Sequence, residues 1–216
     1  MGLTDSFNDL LLFFVGTFVS LFSIVDPPMA APLFVTLTKG ETPIQRETLA
    51  RRASFYAFAI LVLFFVTGSL ILNFFQISID ALRIAGGLMI LSSAFGMLGQ
   101  KESLDADEKQ EASTKEDIAF SPLAMPILSG PGSIAVIIGM TANAGGFGLK
   151  YLLILLAIMA VCISSYWIMR ISDTIMQKLG STIVKSFTRI MGFILLCIGV
   201  QFVVNGVVPI LHGVLH

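Results

Sequence analysis

Charge is scarce in this sequence. Only 12% of its 216 residues are Asp, Glu, Lys or Arg, where a soluble domain keeps about 25%. With 56% hydrophobic residues and a mean hydropathy of +0.90, that deficit excludes an ordinary cytosolic protein. The formal net charge is −1, so no overall field draws the chain to nucleic acid. Cysteine is almost absent. Cys162 and Cys197 lie in apolar runs without ligand-like spacing, which excludes a disulfide framework and a cysteine metal site. The two histidines, His212 and His216, sit at the C-terminal edge. HExxH, GxSxG and P-loop patterns are missing, and Ser129 and Ser133 have no nearby base in the sequence. A dedicated metal transporter needs several ligands per site, and a single intramembrane acid does not supply them. The expectation is therefore no enzyme, no metal site and no cofactor beyond a coupling ion, H⁺ or Na⁺. Basic residues are also missing from Met1 to Asp9, which holds Asp5 and Asp9 instead. A cleavable signal peptide is not expected, and the first apolar run reads as a retained span.

What is present is a series of long apolar runs. Ala53–Ile79, Ile84–Gln100, Tyr151–Met169 and Ile190–His212 are nearly free of charge and close to the roughly 20 residues that cross a bilayer. Leu10–Thr38 is uncharged except for Asp26, and Ile118–Leu149 carries no charge. These last two are longer than a straight helix needs, and both contain spaced prolines. The pattern predicts six spans. Eleven of the 13 Lys and Arg residues fall in the connections between spans 1–2, 3–4 and 5–6, leaving only Arg83 and Lys150 for the other side. The positive-inside rule puts the eleven in the cytoplasm and both termini outside. The acidic stretch 101–117 reads as a solvated cytoplasmic linker.

That linker separates two groups of three spans, 1–100 and 118–216. "LRIAGGLMIL" (Leu82–Leu91) late in the first group echoes "TRIMGFILLC" (Thr188–Cys197) late in the second. Arg83, Ile84 and Gly86 match Arg189, Ile190 and Gly192. Each group opens with a proline pair at spacing five: Pro27 and Pro32, then Pro126 and Pro131. Three spans per unit makes the second unit inverted, a common plan in secondary transporters. The fold class expected is an all-α integral membrane protein: six transmembrane helices as two inverted three-helix repeats, with helices 1 and 4 broken near mid-membrane.

The breaks are where chemistry is expected. Proline lacks an N–H, and it pushes the residue before it away from helical angles. Helix 1 should end near Val25 and restart after Pro28. In "PILSGPGSIAVI" (Pro126–Ile137) a half-helix should start near Pro131. Broken backbone at membrane depth is tolerated only where protein or a water-filled cavity surrounds it. A half-helix N-terminus offers unpaired N–H groups and a positive dipole end. The candidate binding residues are Asp26, Pro27, Pro28, Ala30, Ser129, Gly130, Pro131, Gly132, Ser133, Ile134 and Gln201, with the amides of Gly132, Ser133 and Ile134 as donors. Asp26, the one acid within a span, is either part of a substrate or ion pathway or an N-cap for the following half-helix. Gln201 and Asn205 either line the cavity or bond a neighbouring helix. Asn73 and Thr67 are weaker candidates. Stripes of small residues, Ala85, Ser92, Gly96 and Gly99 on span 3 and Gly192, Gly199 and Gly206 on span 6, read as packing faces.

"DPPMAAPLF" (Asp26–Phe34), "RIAGG" (Arg83–Gly87) and "PLAMPILSGPGSI" (Pro122–Ile134) resemble the MarC family of bacterial inner-membrane proteins, grouped in the LysE transporter superfamily. The resemblance covers nearly the whole chain. Met29 departs from it, standing where the family commonly has Gly. The resemblance implies transport of small neutral amino acids such as glycine and alanine, coupled to an ion gradient, in the inner membrane. Its expected partners are that substrate and the lipid bilayer, with a homo-oligomer left open and no nucleic acid. Efflux of other small solutes or drugs, and a non-transporting assembly or regulatory role, are the alternatives.

Overall fold

The computed structural model describes residues 3–98, 119–144 and 148–215. The linker 101–117, Gly99 and His216 lie outside the described residues. Among the described residues every regular element is helical. The order is α1 (Leu3–Val25), α2 (Pro27–Leu37), α3 (Pro43–Phe74), α4 (Ile79–Leu98), a π-helix (Ala119–Leu128), α5 (Pro131–Asn143), α6 (Leu149–Arg170) and α7 (Ser172–Leu215). Five stretches are long and apolar enough to cross a membrane: Asn8–Leu37, Pro43–Phe74, Ile79–Leu98, Leu149–Arg170 and Ser186–His212. The remaining apolar stretch is divided between the 10-residue π-helix and the 13-residue α5.

Local sequence explains the boundaries. Thr42 and Gln45 form a capping box at the start of α3, with Pro43 at the first helical position, which satisfies two donors reciprocally. Helix α3 thus begins ten residues before the apolar run at Ala53 and carries Arg46, Arg51 and Arg52 on its first turns. Gly180 has φ 72 and ψ 164, so it interrupts α7 with a kink.

The two halves are packed into each other. Helix α4 lies along α7, α3 lies along α6, and α1 lies along α6 while the π-helix lies along α3. Helix α5 packs on α3 and α4, as α2 packs on α6 and α7. Helix α1 touches α5, and α2 touches the π-helix. Small residues permit these approaches. A Cβ on Gly206 would fall 2.6 Å from the Asp80 carbonyl oxygen, and one on Gly192 would fall 2.8 Å from Met97 Cβ. Gly192, Gly199 and Gly206 are all buried, as their seven-residue spacing implies. The stripe expected on α4 differs. Ala85 and Ser92 are exposed, and nothing lies within 4 Å of a Cβ on Gly96. The buried face of α4 is instead Gly86, Gly87, Ile90 and Ala94.

The ends of the bundle differ in their polar contacts. At one end Arg46 pairs with Asp173, and its Nε donates to Thr38 Oγ1 at 2.8 Å. Beside it Arg170 meets Glu47 at 3.2 Å, and the Tyr166 hydroxyl donates to the same Glu47 oxygen. At the other end Arg83 pairs with Asp80 at 2.8 Å, and Lys150 lies 5.7 Å from the centre of the Phe13 ring. The Arg46 end gathers the α2–α3 and α6–α7 junctions, and the Lys150 end gathers Arg83 and Lys150.

Candidate functional site

The first break is a single residue wide. Helix α1 closes with the Asp26 amide donating to the Phe22 carbonyl at 2.9 Å. Asp26 itself adopts the left-handed conformation, φ 40 and ψ 64. Among side-chain-bearing residues, only Asp and Asn visit that region at modest cost. The chain then re-enters a helix at Pro27, not after Pro28 as the proline rule suggested. Both prolines occupy the first turn, where a missing N–H costs nothing. The next two amides, Met29 and Ala30, both donate to the Asp26 carbonyl, at 3.0 and 3.3 Å. Helix α2 therefore has few free donors, contrary to the expectation that each half-helix start offers them. Pro27 and Ala30 are buried and Pro28 is half-buried.

What the first break presents is a carboxylate. Asp26 is 3% exposed. Its side chain makes no capping bond to α2. Neither oxygen has a hydrogen-bond partner among the described residues. The helix-cap alternative for Asp26 thus lacks its defining bond. An unpaired buried carboxylate costs several kcal/mol in order of magnitude.

The second break is built from the opposite polarity. The π-helix ends with the Ser129 amide and the Ser129 hydroxyl both donating to the Ala124 carbonyl, at 2.9 and 2.7 Å. Gly130 follows in an extended conformation, φ −70 and ψ 170, and Pro131 opens α5. The Ile134 amide donates to the Gly130 carbonyl at 3.2 Å. That corrects the expected donor set: Ile134 is already bonded, because α5 begins at Pro131 and its fourth residue closes the first turn. The amides of Gly132 and Ser133 are the positions that helix geometry leaves without an acceptor, and Gly130 has no side chain to cap them. Gly132 and Ser133 are buried, Ser129 is buried, Gly130 and Ile134 are half-buried, and Pro131 is exposed.

Gly132 brings the breaks together. A Cβ at Gly132 would lie 3.6 Å from Ile24 and 3.6 Å from Ile90. Ile24 is two residues before Asp26, and Ile90 lies near the centre of the 20-residue α4. The start of α5 is therefore seated on α1 beside the first break, near the middle of the bundle. Asp26 is two residues along the chain from Ile24, the α1 contact of the α5 N-terminus, where the Gly132 and Ser133 amides lack a helical acceptor and the dipole end is positive.

Gln201 is not drawn into this arrangement by a polar contact. It is exposed on α7, and its amide donates to Asn205 Oδ1, one turn away, at 2.7 Å. Thr67 donates to the Leu63 carbonyl within its own helix, and Asn73 is exposed near the end of α3. Sequence reasoning missed two cavities near the Lys150 end. One, of about 420 Å³, is lined by Arg83, Met140, Phe202 and Asn205. The other, of about 360 Å³, is lined by Phe13, Gly16, Thr17, Ser20, Met140 and Lys150. The available signal was that Arg83 and Lys150 stand apart from all other basic residues, but it reads as topology until the helices are assembled.

The chain is similar to known membrane proteins over most of its length. It is 39% identical to the membrane protein YvbG of Bacillus subtilis over 206 residues, covering 92% of this chain and 97% of YvbG. It is 38% identical to a membrane protein of Methanocaldococcus jannaschii, covering 91% and 97%. It is also 38% identical to the inner membrane protein MarC of Salmonella typhimurium, covering 89% and 93%. No solved structure matches it. Residues 11–211 match the family described as MarC family integral membrane proteins, so both breaks lie inside the match, and the chain belongs to the MarC family.

Proposed function

We propose that this multi-pass membrane protein is a secondary transporter for small neutral amino acids of the glycine and alanine class, coupled to an H⁺ or Na⁺ gradient. The observation that carries the reading is the unpartnered Asp26 carboxylate, 3% exposed, two residues from Ile24, which contacts the α5 N-terminus. A zwitterion has the complementary pair of charges. Its ammonium suits the Asp26 oxygens, and its carboxylate suits the amides of Gly132 and Ser133. Pro27, Pro28, Ala30, Ser129, Gly130 and Pro131 shape the two turns around it, and Ile134 contributes through its side chain only.

The architecture proposed is six spans in two inverted repeats. The π-helix and α5 together form the fourth, discontinuous span, as α1 and α2 form the first. The packing supports this. Exchanging α1 with the π-helix, α2 with α5, α3 with α6 and α4 with α7 turns α1–α6 into π-helix–α3, α4–α5 into α7–α2, and α3–α5 into α6–α2, all observed pairs. The α1–α7 and α5–α6 contacts have no comparable counterparts. Inverted repeats with discontinuous helices at the pseudo-two-fold axis are a transporter plan. The Salmonella relative is named an inner membrane protein, and that location with the Arg46 end in the cytoplasm fits the basic-residue split.

The test is uptake of labelled glycine and alanine into proteoliposomes under imposed proton and sodium gradients. The expected result is uptake above protein-free vesicles, accelerated by one of the two gradients. Drug or solute flux without amino acid flux, or no flux of any solute, overturns the reading.

A further inference from the structure

The groove of about 360 Å³ beside α1 has a direction. Its wall residues Phe13, Gly16, Thr17 and Ser20 are three or four apart, so they share one face of α1. Four residues beyond Ser20 on that face is Ile24, which adjoins Gly132. On the opposite wall, Met140 is followed at four-residue steps by Val136 and Gly132, again one face of α5. Both walls therefore descend from the Lys150 end to the two breaks. The wall carries hydroxyls at Thr17 and Ser20, and Lys150 stands at its mouth. The far end of the bundle is bridged by Arg46 with Asp173 and Thr38, and by Glu47 with Arg170.

We infer that this groove is the aqueous path by which substrate passes between the Lys150 end and the breaks, with Gly16 and Ser20 setting the width it admits. The inference rests on the transporter reading above. Gly16 is the informative residue. Nothing lies within 4 Å of a Cβ placed there, so added bulk enters the groove without displacing a neighbour. Gly96 on α4 is equally unobstructed but lies on no cavity wall described above, which makes it the matched control. Lys150 supplies a positive charge where the substrate carboxylate first meets the protein.

The experiment uses full-length single-cysteine variants in a Cys162→Ala, Cys197→Ser background, which removes both native cysteines, one buried and one exposed. Gly16→Cys, Thr17→Cys, Ser20→Cys, Lys150→Cys and Gly96→Cys are treated with a charged, membrane-impermeant methanethiosulfonate reagent at each face of the membrane in turn. Gly16→Cys and Ser20→Cys should react from the same face as Lys150→Cys, at least tenfold faster than Gly96→Cys. Reaction of Gly16→Cys and Ser20→Cys only with a lipid-soluble maleimide shows a lipid-filled groove and overturns the inference. In proteoliposomes, Gly16→Phe should lower the initial uptake rate of glycine at least tenfold, with Gly96→Phe like the parent. Equal uptake by Gly16→Phe and the parent also overturns it. Labelling needs no transport, so a groove that labels in a protein that moves no amino acid refutes the substrate reading while upholding a water-filled groove.

Discussion

The two helix breaks occupy corresponding places in the two halves of the chain, yet they expose opposite chemistry. At the first, two prolines remove the leading donors, and the Asp26 carbonyl accepts the Met29 and Ala30 amides. What is left is a buried carboxylate. At the second, one proline opens α5 and Gly130 caps nothing, so the Gly132 and Ser133 amides are left. Packing is nearly symmetric while polarity is not. That combination suits a ligand that is compact, apolar in shape and charged with opposite signs at its two ends.

The sharpest way to break this contrast is to neutralise the first break. Asn tolerates the left-handed conformation of Asp26, and no capping bond is lost because none exists. Asp26→Asn should therefore insert and fold like the parent. A hydrogen bond to a charged group contributes about 1.5–3 kcal/mol, so gradient-driven uptake should fall about 10- to 100-fold. Counterflow without an imposed gradient separates the two roles of the carboxylate. If both modes fall together, Asp26 holds the substrate; if only driven uptake falls, it serves the coupling ion. Unchanged rates in both modes remove Asp26 from the site.

The second break is tested by closing it. With Ile24 and Ile90 at 3.6 Å from a Cβ on Gly132, alanine fits at ordinary contact distance and valine presses on both. Gly132→Ala should retain transport. Gly132→Val should raise KM for glycine about tenfold, the loss of one amide bond to a carboxylate, with normal amounts of protein in the membrane. A kcat effect with unaltered KM contradicts a binding role for these amides.

The positions of both breaks were legible in the sequence because proline acts locally, and the residues before and after it are constrained whatever the fold. The donors actually free were not legible. That depends on where Asp26 O and Gly130 O point once the turn closes, which spent Ile134 and the α2 amides. The π-helix at Ala119–Leu128 was also hidden, since its wider turn is set by the Ser129–Ala124 bonds at its end. The buried face of α4 was misread for a different reason. A helix apolar all round has no polar stripe to orient it, so Ala85 and Ser92 looked as suitable for packing as Gly86 and Gly87. The seven-residue glycine spacing of α7 carried more information and did mark a buried face.

The symmetric side of the comparison has its own test. Gly86 and Gly192 were matched across the halves by sequence, and each is tight for a packing reason. An added Cβ would lie 2.6 Å from Ala135 Cβ at Gly86 and 2.8 Å from Met97 Cβ at Gly192. Overpacking costs about 1–3 kcal/mol, offset by about 1 kcal/mol of helix propensity gained from Gly to Ala. Gly86→Ala and Gly192→Ala should each lower the melting temperature in detergent. Gly96→Ala and Gly16→Ala, with open space around them, should show the propensity gain alone. If only one of the matched pair is destabilising, the correspondence between halves does not extend to their third helices.

The smallest effect distinguishes structure from recognition within the second break. Ser129 is in the turn and buried, and sequence alone makes its hydroxyl as good a ligand group as that of Ser133. Its proton, however, is already donated to the Ala124 carbonyl at 2.7 Å. The Ser129 amide reaches the same oxygen at 2.9 Å, so that carbonyl keeps a partner when the hydroxyl is removed. Ser129→Ala should therefore cost only about 0.5–1.5 kcal/mol of stability and leave glycine KM within about twofold, since no bond to substrate worth even 0.5 kcal/mol is lost. A melting curve and a KM measured on the same preparation decide it. A tenfold rise in KM with unchanged melting would make the Ser129 hydroxyl a substrate ligand and would move the donor side of the site from the first turn of α5 back to the end of the π-helix.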